Sequence, residues 1–235
     1  MTAPRLYVDS ADVDAVAPLL AGRLVRGVTT NPTILDRAGR TVEDIPALHE
    51  TWAAAGAEEI FFQAWGADEA QLEHRARAIL ELGERVVVKV PATRAGFVVA
   101  SRLAHDGAPV LLTAVYTPAQ ALAAAAVGAR YIAPYLGRMR AQGYAALDDI
   151  ARMQKLCAGS ETNVLAASLR GPEDAVALTE AGVGLLTAAP ELLWSLLDDA
   201  ATTAAAAAFE SAAAVSPSGV GPGTWAGSAP RAARD

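Results

Sequence analysis

Residues 85–91 read RVVVKVP, a β-branched run with one lysine inside it and a proline at its end. Runs of valine and isoleucine predict a buried strand, and lysine is almost never fully buried without a partner. An ammonium group held there loses solvation, so its charged form is disfavoured and its pKa falls towards neutrality. A neutral amine is a nucleophile towards carbonyls. The stretch therefore raises the question of whether Lys89 forms a Schiff base, and which other residues would serve it.

Working outward, seven further apolar runs recur, most of them followed by a helical pattern: LYVDS (6–10), GVTT (27–30), EIFFQAW (59–65), PVLLTAVY (109–116), ARYIAPYL (129–136), NVLAASL (163–169) and VGLLTAA (183–189). Between them, AQLEHRARAILELG has helical spacing with Gly83 as a stop. PEDAVALTEAG opens on Pro172 and closes on Gly182. TVEDIPALHETWAAAG has Thr41 as an N-cap, and Pro46 must kink that helix or shift its start. Eight apolar strands alternating with helices predict a parallel sheet covered on its outer face, and eight is the number that closes a (β/α)8 TIM barrel. The competing doubly wound sheet favours a glycine-rich fingerprint after the first strand, which Asp9-Ser10-Ala11 is not. The expectation is one barrel domain over 1–214, with an extra C-terminal helix within Leu192–Ala214. A flexible Gly/Pro/Ser/Ala-rich tail follows at 215–235, with Trp225 its one feature able to dock.

Bulk properties narrow the function. A 235-residue chain with 53% hydrophobic and 19% charged residues has ample core, and a formal net charge of −7 without a basic block argues against nucleic acid. Cys157 stands alone, which suits a reducing compartment. No apolar signal core or bilayer-length apolar run is read, so a soluble cytoplasmic protein is expected. His49, His74 and His105 lack ligand spacing, and the Asp9, Asp12, Asp14 series lacks the glycine and terminal glutamate of a calcium loop, so no metal is expected.

The strand ends carry Asp9, then Thr29, Thr30 and Asn31, then Gln63, Lys89, Thr113, Tyr135, Ser168 and Thr187. In a barrel of this kind these ends form the active-site mouth. Bland readings stand beside the functional one. Lys89 can snorkel or pair with Asp9, Asp9 can begin the first helix, and Asn31-Pro32 is a good turn without any ligand.

GVTTNPTIL, VVVKVPAT, LLTAVYTPAQALAAAAVGARYIAPYLGR and VLAASLRGPEDA resemble the small-subunit transaldolase family, which includes the fructose-6-phosphate aldolases; the likeness runs from about Leu6 to Glu210. The resemblance implies a cofactor-independent barrel enzyme, homo-oligomeric as a pentamer or decamer, acting on ketose and aldose phosphates. It implies Lys89 as the Schiff-base lysine and Asp9 as the acid/base. Thr29, Asn31 and Ser168 would hold donor hydroxyls, and Gln63, Thr113 and Tyr135 a catalytic water. Arg138 would take the phosphate, assisted by Arg170. Gln63 and Tyr135 resemble the aldolase subgroup, where transaldolases of this type usually have Glu and Phe. An ordinary transaldolase is the alternative, and a catalytically silent sugar-phosphate-binding barrel another. An aldolase using acetaldehyde as donor fits poorly with Asn31 and Ser168. The chain departs from the family pattern at Arg94, Arg140 and Trp65. The two arginines are expected to favour a more anionic or longer acceptor, and Trp65 to narrow the entrance.

Overall fold

The computed structural model describes residues 3–214. The elements run β1 (Arg5–Asp9), α1 (Val13–Ala21), β2 (Gly27–Thr29), α2 (Pro32–Arg37), α3 (Ile45–Ala54), β3 (Glu59–Gln63), α4 (Glu69–Leu80), β4 (Val86–Pro91), α5 (Arg94–His105) and β5 (Val110–Val115). They continue with α6 (Pro118–Ala126), β6 (Tyr131–Pro134), α7 (Leu136–Ala141), α8 (Ala146–Cys157), β7 (Asn163–Ala166), α9 (Pro172–Glu180), β8 (Leu185–Ala188), α10 (Pro190–Ser195) and α11 (Ala200–Ala214). Every neighbouring pair of strands is parallel, and β8 pairs with β1, so the eight strands close into a (β/α)8 barrel. The tail expected at 215–235, with Trp225, lies outside the described residues.

Local chemistry explains the element boundaries. Most strands stop short of the apolar runs because polar side chains take over and start the following helices. Asn31, Asp68, Thr93 and Thr117 each accept a hydrogen bond from the backbone N–H three residues on. Pro46 shifts its helix rather than kinking it. Thr41 caps a single 3-10 turn over Val42–Asp44, and α3 then begins with the proline in its first turn, where no N–H is needed. The expected helix within Leu192–Ala214 is two helices. The chain leaves helical pairing after Ser195 and restarts where Asp199 accepts from the Thr202 N–H at 2.8 Å. Of the described residues, those to Leu196 form one compact unit and those from Leu197 a second, in which all side chains of α11 are exposed.

Two apolar clusters divide the barrel. The outer one lies between strands and helices and includes Val28, Ile60, Val88, Leu112 and Ile132. The inner one fills the barrel with Tyr7, Phe61, Val87, Leu111, Leu165 and Leu185, among others. The alternation follows from the two-residue period of a strand, which sends Val87 and Lys89 inward and Val86, Val88 and Val90 outward. Below the inner cluster, at the N-terminal end of β3, Glu59 is only 7% exposed. Its carboxylate accepts from the Tyr7 and Tyr131 hydroxyls, both at 2.6 Å, and Arg26 and Arg130 approach at 3.5 and 3.4 Å. Burial and the Glu59 carboxylate push the Tyr131 hydroxyl up to about 12 and raise that of Tyr7 as well, so both stay protonated as donors. Burying a carboxylate costs several kcal/mol, and hydrogen bonds of about 1.5–3 kcal/mol each from the two hydroxyls and Arg130, with the Arg26 charge nearby, offset it.

Glu59→Ala leaves both hydroxyls without their acceptor and both arginines without one carboxylate. We expect a loss of about 2–4 kcal/mol in chemical denaturation, against about 1 kcal/mol for Tyr7→Phe. Equal losses would show that the carboxylate is not the centre of this network.

Candidate active site

Lys89 stands on β4 one inward step above Val87, in register with Gln63 on β3 and Leu111 on β5. It is 4% exposed, and its amine donates to the Thr30 carbonyl at 2.6 Å. It makes no ion pair with Asp9 among the described residues, so the paired-lysine reading is not realised. Burial pulls the Lys89 amine below the usual lysine range, and the nearby Asp9 carboxylate only partly opposes this. Asp9 ends β1. It is free of the helix-capping role, because Asp12 caps α1 by accepting from the Asp14 and Ala15 N–H groups. Burial raises the Asp9 carboxyl above its ordinary value against the pull of Lys89, a Thr29 hydrogen bond, Arg138 and Arg37.

Hydroxyls from two strands fix that carboxylate. Thr29 donates to Asp9 at 2.6 Å, and its oxygen lies 2.7 Å from that of Thr187. Thr29 has one proton and gives it to Asp9, so Thr187 is the donor in the second bond. Across the barrel Thr113 and Tyr135 share a 2.7 Å hydroxyl contact, and burial raises the Tyr135 hydroxyl, the contact with Thr113 partly opposing it. A bulge after Thr113 puts Ala114 in the left-handed region (φ 57°) and shifts the β5–β6 register.

Asp9, Thr29, Asn31, Lys89, Tyr135, Arg138 and Ser168 line one cavity of about 140 Å³ at the C-terminal ends of the strands. The Asn31 side-chain oxygen is used as the α2 cap, accepting from Ile34 N–H at 3.0 Å, which leaves the amide NH2 for another acceptor. The Arg138 guanidinium lies 4.6 Å from the Tyr135 ring centroid. Ser168 is held in the left-handed region (φ 61°), a conformation that costs energy for a serine, and its carbonyl accepts from Gly137 N–H at 2.9 Å. A Cβ on residue 137 would sit 2.7 Å from Arg170 Nε and 3.2 Å from Ser168 Oγ, so only glycine lets these two crowd the start of α7. Arg170 thus shares the corner of Ser168 without lining the cavity. Gln63 and Thr113 also lie outside its lining, Thr113 touching it through Tyr135.

The remaining expectations resolve differently. Arg140 turns to α9, where it pairs with the buried Asp174, and so brings no free charge to the mouth. Trp65 faces a shallow groove with Ile45, Pro46 and Leu82, under the Arg75 guanidinium, and does not narrow the entrance. Arg94 is exposed on α5 and absent from the lining. Besides apolar strand residues, three lining residues that follow Asn31 were not foreseen: Thr33, Ile34 and Arg37. Their i, i+1, i+4 spacing after the Asn31 cap places them on one face of α2, a signal the sequence does carry. Among the described residues, no three His, Cys, Asp or Glu side chains are placed to hold a metal ion.

The fold and mouth define a (β/α)8 barrel with a buried lysine and a carboxylate at the active-site end. Residues 6–218 match the family model described as Transaldolase/Fructose-6-phosphate aldolase, and the chain belongs to that family of aldolase/transaldolase enzymes. Curated relatives include a probable transaldolase of Coprothermobacter proteolyticus, 28% identical over 204 residues, covering 84% of this chain and 91% of the relative. One from Hyphomonas neptunium is 31% identical over 199 residues, covering 82% and 89%. Among solved structures, mandelate oxidase with 2-hydroxy-phenylacetamide superposes with a TM-score of 0.58 at 16% identity. That match covers 81% of this chain and 66% of the oxidase, and it speaks to the fold alone.

Asp9 is the one group that raises the Lys89 pKa. Asp9→Asn is therefore expected to shift Lys89 titration to still lower pH, read from the pH dependence of its reductive methylation by peptide mapping. A shift to higher pH would mean the two groups are not coupled in this way.

Proposed function

We propose that the protein is a Schiff-base aldol enzyme that cleaves or forms the C3–C4 bond of ketose phosphates through a dihydroxyacetone unit held on Lys89. The observation that carries this reading is a 4%-exposed lysine with a depressed pKa sharing a small cavity with Asp9. In this mechanism the neutral Lys89 amine adds to the C2 carbonyl, and loss of water gives an iminium that accepts the electrons of the breaking bond. Asp9, directly or through a water, takes the C4 hydroxyl proton as the C3–C4 bond breaks. Its raised pKa suits it to holding that proton. The aldehyde phosphate departs and an enamine remains on the lysine.

The Asn31 amide and the Ser168 hydroxyl are suited to the donor hydroxyls, and Thr29 steadies Asp9. Arg138, stacked on Tyr135, and Arg170 beside Ser168 give the leaving phosphate a cationic corner with two forks for charge-assisted bonds. Gln63, Thr113 and Tyr135 would position the water. Tyr135, protonated and joined to Thr113, favours protonating the enamine over keeping it dry for a second aldehyde, so the reading leans to fructose-6-phosphate aldolase-like turnover. Transfer between sugar phosphates is the alternative, supported by relatives described as probable transaldolases. A cytoplasmic homo-oligomer, with 1–214 as its catalytic part, completes the reading.

Borohydride trapping with fructose 6-phosphate is expected to leave a three-carbon adduct on Lys89. Lys89→Met should abolish it and lower kcat/KM by at least about 10³-fold. Free dihydroxyacetone without acceptor marks the aldolase. A new ketose with glyceraldehyde 3-phosphate marks transfer, and Tyr135→Phe should move the partition towards transfer. Absence of any adduct would leave the silent barrel.

A further inference from the structure

Arg138 and Arg170 come from different segments, and a phosphate corner needs them side by side. Arg138 lies in α7, a helix of six residues whose N-cap Tyr135 makes no side-chain cap. A helix that short keeps its place only through packing and ties to its surroundings. Arg170 lies between β7 and α9, just before the N-cap Gly171, which has no side chain to close the turn.

Two sets of hydrogen bonds join these segments, one on each side of Arg138. Before it, the Leu136 and Gly137 N–H groups donate to the Ala167 and Ser168 carbonyls at 3.0 and 2.9 Å. After it, Arg140 Nη1 donates to Asp174 Oδ1, while Asp174 Oδ2 accepts from the Arg170 N–H at 2.7 Å. One carboxylate in the first turn of α9 thus holds a side chain of α7 and the backbone of Arg170 at once. Asp174 is buried, so Arg140 also supplies the cation that such a carboxylate requires. Residues two apart on a helix do not share a face, which lets Arg138 line the cavity while Arg140 turns to α9. Among the described residues neither Arg138 nor Arg170 enters an ion pair, so both forks are left for a ligand.

We propose that the Arg140–Asp174 pair is the positioning device of the phosphate corner. It fixes the spacing of Arg138 and Arg170 without touching substrate, and so sets the preference for phosphorylated over uncharged aldehydes. This rests on the Schiff-base reading and deepens it, giving the corner a pair of residues that act only through their neighbours. No new bond chemistry is involved.

The test compares the full-length protein with Arg140→Met, which keeps an aliphatic stem without the charge, and with Arg140→Lys. Dihydroxyacetone is the fixed donor, and glyceraldehyde 3-phosphate and uncharged glyceraldehyde are the acceptors. The readout is kcat/KM for the phosphorylated acceptor divided by that for glyceraldehyde. Arg140→Met is expected to lower this ratio about tenfold, through KM rather than kcat, and Arg140→Lys to restore part of it. Asp174→Asn keeps an acceptor for the Arg170 N–H but loses its hold on Arg140, and is expected to lower the ratio as well. Turnover of glyceraldehyde reports the fold and the Lys89 chemistry in every variant, and is expected to stay within about twofold. Equal losses with both acceptors would mark a general loss of fold and overturn the proposal. Arg138→Ala supplies a second reading: added to it, Arg140→Met is expected to lower the ratio by less than it does alone, because the fork it positions is gone. An undiminished further loss would mean that Arg140 acts independently of Arg138, which also overturns the proposal. Borohydride trapping with dihydroxyacetone separates the two failures. A Lys89 adduct with an unmoved ratio sinks the Arg140 assignment alone, whereas no adduct sinks the Schiff-base reading as well.

Discussion

Desolvation of the Lys89 amine is the constraint on which the site depends, and the closed barrel supplies it. Phe61, Val87, Leu111, Leu165 and Leu185 form an apolar floor under the lysine. Closure leaves no sheet edge through which water could reach it from the side. Below the floor, Glu59 gathers Tyr7 and Tyr131, so that buried carboxylate is satisfied by its own donors. The two polar layers are kept apart by the apolar one. A lysine in contact with the lower carboxylate would be held charged, and a charged amine cannot add to a carbonyl.

Closing the ring also sets what each strand offers. The inward step of two residues brings Asp9, Thr29, Lys89 and Thr187 to one end of the barrel, although they are scattered over most of the chain. Of the three non-glycine residues with left-handed backbone among the described residues, Arg23 precedes β2, and the other two lie at that same end. Ala114 and Ser168 take left-handed backbone conformations without being glycine, and Gly137 is pressed against Arg170 and Ser168. Such costs are carried where surrounding structure fixes the geometry, and the neighbouring pairings of β5, β6 and β7 do so here.

Much of this was legible in the sequence, because the strand period and the capping residues act locally. The RVVVKVP run placed Lys89 in a buried strand, and Thr41 with Pro46 placed the start of α3 to within a turn. What was not legible depends on pairs distant in the chain. Nothing around Glu59 announces that Tyr7 and Tyr131 will meet it, since those contacts form only when β1, β3 and β6 share one interior. Arg140 and Trp65 were assigned to the mouth as departures from the family pattern, yet sequence position does not fix side-chain direction. A buried Asp174 on α9 captures the first, and an apolar groove beside α4 takes the second. Arg37 was missed for the converse reason. It lies a helix away from its strand, and only the face shared with Thr33 and Ile34 turns it to the cavity.

The local charge of the mouth runs against that of the whole chain. The formal net charge is −7, yet Asp9 is surrounded by Lys89, Arg37 and Arg138. Burial raises the Asp9 carboxyl and these cations hold it down, so its affinity for a proton is set by a balance that a ligand can tip. A phosphate bound at Arg138 cancels part of the cationic pull, whereas the iminium formed on Lys89 keeps a positive charge beside Asp9. Phosphate binding precedes bond cleavage in the proposed mechanism, and it makes Asp9 more basic. On that mechanism an anionic substrate prepares the group that must accept its own hydroxyl proton, and an uncharged analogue of the same shape leaves Asp9 a weaker base.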